Sequence, residues 1–339
     1  MDAIVAIDLI KGVCMSTKRS FLAAALHVAW LVSLLVTASI VALAPGASAT
    51  APGPNGRLLY WRFGRHCHGV CSIVTIDPDG TDAVHLTSLD GASWSPDGSK
   101  LSSGTRTNDG RVATLIVDAD GSNPVVFPIQ DPTLNTPCGV WTPDGSRLFC
   151  EAWDDVHPHR APGVFSVDAT DGSDLVRVTK NTLGGHDIAF DTSPEGSSVV
   201  FFREDPSRRH RTFKLMTVDA DGSNLMKIGP LIAERYCCTA SWSPDGSTIL
   251  TSNKGLILVV AADGSSVTTM DVDVDEDHFV FGPDWSPDGT RIAFDMATAT
   301  TQMFDIYTAA ADGTDVQRVT DVQGFPKNAD WGSAPIVGS

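Results

Sequence analysis

Beyond residue 54 the hydrophobic residues come in short runs of strand length, some continuous and some alternating with polar positions. Clusters of Gly, Pro, Asp and Ser separate them, as expected of strands joined by turns. RLFCEAW (147–153), SVVFFR (198–203) and RIAFDM (291–296) are of this kind, as are FKLMTVD (213–219), FDIYTA (304–309), LVRVT (175–179) and VQRVT (316–320). No helical period of useful length interrupts them. The pattern predicts an all-β protein of many short strands.

Two landmarks alternate along this pattern. The first is a Trp ahead of a Ser/Thr-Pro-Asp-Gly turn, at Trp94, Trp141, Trp242 and Trp285. Trp331 follows near the end of the chain, and Thr192 in DTSPEGS fills the remaining slot, so that the spacings are 47, 51, 50, 43 and 46 residues. The second is an Asp-Gly turn, in IDPDGT (76–81), VDADGS (117–122), VDATDGS (167–173), VDADGS (218–223), VVAADGS (259–265) and AAADGT (309–314). Six of each, interleaved, define six units of four strands, A to D. Ser-Pro-Asp-Gly suits a type I turn between A and B, with Pro setting φ at the second position. The Asp-Gly turn joins C to D as a tight hairpin.

Six four-stranded units predict a six-bladed β-propeller. The ends of the chain predict its closure. Pro54-Asn55-Gly56 stands in for Pro-Asp-Gly ahead of a B strand at 57–63, and FPKNADWG (325–332) reads as an A strand without its turn. Strand A of the first blade is therefore expected from the C-terminus. Trp94 is expected to pack between adjacent blades, and the other four Trp of this slot are read as structural.

WSPDGTRIAF (285–294) followed by IYTAAADGTDVQRVT (306–320) resembles the TolB-type (WD40-like, PD40) β-propeller repeat. The resemblance covers about 55–332 and implies the fold. It implies little about activity, since such propellers occur as partner-binding modules, as the gating domain of prolyl-oligopeptidase-like enzymes and in sugar-acid lyases. This sequence departs from TolB in having no preceding α/β domain. It departs from the peptidases in having no Gly-x-Ser-x-Gly motif and no room for a hydrolase domain after Trp331.

Residues 1–49 read as an export signal: Lys18 and Arg19, an apolar run over 21–44, and Ala47-Ser48-Ala49 as the cleavage site. Residues 1–14 fit poorly ahead of it, and Met15 reads as a better start. The apolar run is also long enough to stay uncleaved as an anchor. Residues 50–339 then form a single propeller domain, secreted or held at the cell envelope. In an oxidising compartment Cys67, Cys71, Cys138, Cys150, Cys237 and Cys238 are disulfide candidates. Cys138 and Cys150 fall opposite each other about the turn at Pro143-Asp144. Cys67 and Cys71 can close a small loop, and Cys237-Cys238 is either a vicinal bridge or two partners for other cysteines.

With 24 Lys+Arg against 41 Asp+Glu the chain is strongly acidic. That argues against nucleic acid and anionic membrane surfaces as partners. Strand alternation puts the A–B and C–D turns on one face and the B–C and D–A loops on the other. His66, His68, His157, His159, His186, His210 and His278 all map to the loop face. So does the basic stretch Arg208, Arg209 and Arg211, with Arg203 and Lys214 beside it. The expected function is a monomeric, non-catalytic scaffold binding a protein or glycan at the envelope through this face. The competing reading is a metal-assisted carbohydrate lyase or lactone/ester hydrolase. It would hold a divalent metal through histidines, with His157, His159 and His186 the weak candidates. The acidic run DVDVDED (271–277) is a solvated loop or a calcium site. The repeated Asp-Gly turns lack full calcium-loop spacing.

Overall fold

Residues such as Val199, Val200, Phe201 and Phe202 are consecutive and all fully buried, so both faces of their sheet must be covered by protein. Packing sheets radially achieves this, and the computed structural model shows it. The structure describes residues 54–63, 70–86, 89–127, 131, 133–157, 160, 162–207, 212–232, 239–275, 277–298, 304–321 and 325–334. Among these are six antiparallel sheets, each with strands in the order A, B, C, D. Residues 1–49, His66, Cys67, His68, His159, Arg208, Arg209, His210, Arg211, Cys237 and Cys238 lie outside the described residues, as does the side chain of Cys71.

Blade 1 joins the two ends of the domain, with Phe325–Ser333 as strand A, then Asn55–Phe63, Val70–Ile76 and Val84–Leu86. Leu58 pairs with Trp331 across that closure. Blade 2 is Asp90–Trp94, Lys100–Arg106, Val112–Asp118 and Val125–Val126; blade 3 is Cys138–Trp141, Arg147–Asp154, Gly163–Asp168 and Val176–Arg177. Blade 4 is Asp187–Thr192, Ser198–Asp205, Thr212–Asp219 and Met226–Ile232. Blade 5 is Ala240–Trp242, Thr248–Asn253, Leu256–Ala261 and Val267–Thr269, and blade 6 is His278–Trp285, Arg291–Thr298, Phe304–Ala310 and Gln317–Arg318. Blade 3 carries one further short strand, Leu134–Asn135, paired with the end of strand B. The landmark count did not predict it.

Each joint between blades has its own apolar cluster. Strand B of blade 4 shows why the period is two: Val199 and Phe201 pack toward blade 3, while Val200 and Phe202 pack toward blade 5. The tryptophans occupy these joints. Trp331, Trp242 and Trp285 are buried, and Trp94 and Trp141 pack against the joints partly buried.

The Ser-Pro-Asp-Gly turns close as read. Gly98 N–H donates to Ser95 O at 2.9 Å, and Asp97 Oδ1 accepts from the Ser95 hydroxyl at 2.6 Å and Ser99 N–H at 3.0 Å. Gly98 has φ +66°, which explains the glycine. The degraded copy keeps the geometry, with Gly196 N–H on Ser193 O at 2.7 Å. In five blades the C–D turn is bonded to the A–B turn, as in Ala119 N–H to Ser99 O at 2.9 Å. Both turns therefore share one face, and their aspartates are occupied in building it.

Cys138 and Cys150 are directly paired across strands A and B of blade 3 and form a disulfide, with Cα atoms 3.8 Å apart.

Candidate functional site

On the loop face, the described candidate histidines separate. His157 follows strand B of blade 3 and is tied to its own blade: Nδ1 lies 3.1 Å from Asp154 Oδ2, and its N–H donates to Asp154 Oδ1 at 2.8 Å. Arg160 reaches the same carboxylate at 3.2 Å and Asp131 at 2.6 Å. Burial opposes the charge of Asp154, but the donors from His157 and Thr133 outweigh it and hold the carboxyl well below the usual range. The Arg160 hydrogen bond holds Asp131 at about 2. His186 sits at the start of strand A of blade 4 and reaches back to blade 3. Its Nδ1 hydrogen-bonds Glu151, its ring meets Trp153 edge-on with centroids 5.8 Å apart, and its N–H donates to Glu204 Oε2 at 3.2 Å.

His278 stands apart on blade 6, its N–H on Asp275 O at 3.0 Å. Among the described residues no three His, Cys, Asp or Glu side chains converge as a metal site. The described cations of the basic stretch are paired: Arg203 grips Asp187 through two bonds of 2.9 and 2.7 Å, and Lys214 Nζ lies 3.6 Å from Asp205. The described candidates thus form two clusters at the loop end of blade 3: Asp131, Asp154, His157 and Arg160 within that blade, and Glu151 and Trp153 with His186 of blade 4.

A second feature was not anticipated. At the axis, bordered by strand A of all six blades, lies a cavity of about 90 Å³. Ser95 and Pro96 of an A–B turn line it, so it occupies the turn end of the channel, not the loop end. Trp94, Trp141 and Phe190 contribute to its wall, and three carboxylates face it: Asp191, Asp284 and Asp330. Each is the residue just before the Trp position of its blade, and each accepts the backbone N–H of the Trp in the following blade. The distances are 2.6 Å from Trp242 to Asp191, 2.6 Å from Trp331 to Asp284 and 2.9 Å from Trp94 to Asp330. Ser241 serves the same way toward Trp285 at 3.1 Å. The two remaining joints, on either side of blade 3, are stitched differently: Trp141 Nε1 donates to Ser102 Oγ at 3.0 Å, and Thr192 Oγ1 to Trp141 O at 3.1 Å. The signal for the triad was in the sequence, as Asp at the same slot in DTSPEG, DWSPDG and DWG.

Burial pushes all three channel carboxyls upward, Asp284 to about 6 and Asp330 to about 8, with the charge of Asp284 adding to the effect at Asp330. Turn aspartates go the other way, because the hydroxyls of Thr142 and Ser243 bond the charged forms of Asp144 and Asp245.

No protein-family model matches the chain, and no curated protein matches it. Solved structures do. TolB from Acinetobacter baumannii is 17% identical with a TM-score of 0.62, over 82% of this chain and 67% of that one. A putative TolB from Agrobacterium tumefaciens is 18% identical with a TM-score of 0.55, over 81% and 97%. A chain of a nidogen/laminin complex is 10% identical with a TM-score of 0.58, over 81% and 97%. At these identities the likeness is one of fold: the chain is a six-bladed β-propeller, similar in fold to these TolB structures.

Proposed function

We propose that this protein is an exported, non-catalytic scaffold that binds a protein or glycan partner at the cell envelope through its B–C/D–A loop face. The observation that carries the reading is the blade 3–4 sector. There an aromatic ring (Trp153), an acid (Glu151) and a histidine (His186) meet part-exposed between blades 3 and 4, and a cation (Arg160) and a second histidine (His157) gather on Asp154 at the same end of blade 3. Aromatic and Arg side chains with polar surroundings are the usual anchors of recognition surfaces. The turn face lacks this character, since its aspartates are occupied within the turns. Export by residues 1–49, with 50–339 as the mature domain, agrees with the buried disulfide. The likeness to a propeller from a nidogen/laminin complex supports a partner-binding role.

A photo-crosslinking residue placed at Trp153, compared with one at Asp120 on the turn face, tests the reading in intact cells. A defined adduct from the Trp153 position alone is expected; adducts from Asp120 alone would overturn it. Fractionation of the full chain reports export and whether the apolar segment is cleaved. The competing reading, a metal-assisted lyase or hydrolase acting on carbohydrate or a lactone, draws on the His186–Glu151 and His157–Asp154 pairs. Stoichiometric divalent metal in tag-free protein, lost on His157→Ala or His186→Ala, would decide for it and against the scaffold.

A further inference from the structure

Among its described lining residues the axial cavity has three carboxylates and no Lys, Arg or His. The groups facing the triad can be named blade by blade. Blades 1, 4 and 6 supply Asp330, Asp191 and Asp284 themselves; blade 5 supplies neutral Ser241 and Ala240; blade 2 supplies Ser93 and Trp94; blade 3 supplies Val140 and Trp141. The buried carboxyls of blades 4 and 6 are engaged elsewhere, Asp205 among them with Ser207 and Lys214. Asp187 bonds Arg203 and Thr179, Asp295 accepts the Asn328 N–H at 3.0 Å, and Glu204 accepts the His186 N–H. Three negative charges around one small cavity without a counter-charge repel one another and lose hydration. Each is also a structural acceptor at a blade joint, so its charge state and the closure of the ring are linked.

We infer that the Asp191–Asp284–Asp330 triad is a proton-binding lock, which takes up protons as the propeller closes and makes the ring tightest in mildly acidic surroundings. A protonated carboxyl still offers its carbonyl oxygen to the Trp N–H of the next blade while the repulsion is removed. The triad titrates as a set and not as three independent acids. The direction of its effect follows from linkage. The folded protein holds protons that the unfolded chain releases above an ordinary Asp pKa of about 4. The contribution is therefore complete below about pH 4 and is lost as pH rises through the raised range in which the triad gives up its protons. This inference stands independently of any partner on the loop face.

The test is a carboxyl carbon-13 NMR titration of aspartate-labelled protein, together with melting temperatures between about pH 5 and pH 9 for the native chain and Asp330→Asn. Asn keeps the acceptor oxygen for Trp94 and cannot charge. Carboxyl resonances titrating above pH 5 are expected, and native protein should melt several degrees lower at the alkaline end. Asp330→Asn should flatten that slope and remove a titrating resonance. Native protein whose aspartates all titrate below pH 5 would overturn the inference, as would an Asp330→Asn profile parallel to the native one. Should the variant fail to fold, the native titration decides alone.

Discussion

Removing the Cys138–Cys150 bridge should cost this propeller about 3 kcal/mol. The bridge spans 12 residues of sequence and pins the strand A–strand B hairpin of blade 3. Closing a loop of about this length in the unfolded chain removes about 3 kcal/mol of conformational entropy in the chain-entropy model. Both cysteines are buried, at 3% and 0% exposure, against Ile116, Phe127, Leu148 and Val167 at the joint of blades 2 and 3. The test variant is the Cys138→Ala/Cys150→Ala double, which avoids burying new hydroxyls. For a domain of this size each kcal/mol is worth roughly 2–4 °C, so a fall of about 6–12 °C is expected by calorimetry. Peptide mapping under non-reducing conditions should recover the two cysteines linked. A double variant melting within about 2 °C of the native protein would refute the entropy argument. Recovery of either cysteine joined to a different one would refute the pairing.

Three further outcomes follow from other parts of the ring. In Gly332→Ala the new Cβ would lie 2.6 Å from Trp94 Cγ and 2.8 Å from its neighbouring ring atoms. Overpacking of this kind costs about 1–3 kcal/mol, read as a lowered urea midpoint; an unchanged midpoint would show that the joint of blades 1 and 2 yields freely. Trp331→Ala empties a 2%-exposed site shared by Leu58, Tyr60, Ala293 and Ile306. A loss of about 3–5 kcal/mol is expected, with proteolysis beginning at the C-terminal strand that closes the ring. On the acid side, Asp109 and Asp131 are both held at about 2, chiefly by hydrogen bonds from Arg111 and Arg160. Their contribution is present above about pH 4 and lost as pH falls through about 2, so Asp131→Asn should blunt acid unfolding as followed by circular dichroism.

Much of the architecture was legible because it repeats. The Trp and Asp-Gly landmarks counted the blades, and the turnless strand at 325–332 announced the closure. The Cys138–Cys150 pair followed from counting outward from a turn. The cysteines are close in sequence and the landmarks recur as near copies, so local chemistry carries the information even where, as at the closure, the paired strands are far apart in the chain. The candidate sites were harder. Nothing local says that His186 reaches across to Glu151, 35 residues earlier on another blade. The extra strand Leu134–Asn135 depends on Asn135 Oδ1 accepting the Val112 N–H at 2.8 Å, a contact made between blades.

The sequence by itself determined an all-β ring of six blades, the turn chemistry that joins strand A to strand B, and the paired cysteines, because these rest on a period of two and on short hairpins. Only the tertiary structure decided where charge is confined. Asp191, Asp284 and Asp330 are far apart along the chain, and each reads locally as one polar residue beside a turn. Ring closure turns all three toward one axis, and it places them at the end of the channel that the repeated turns had marked as plain scaffold.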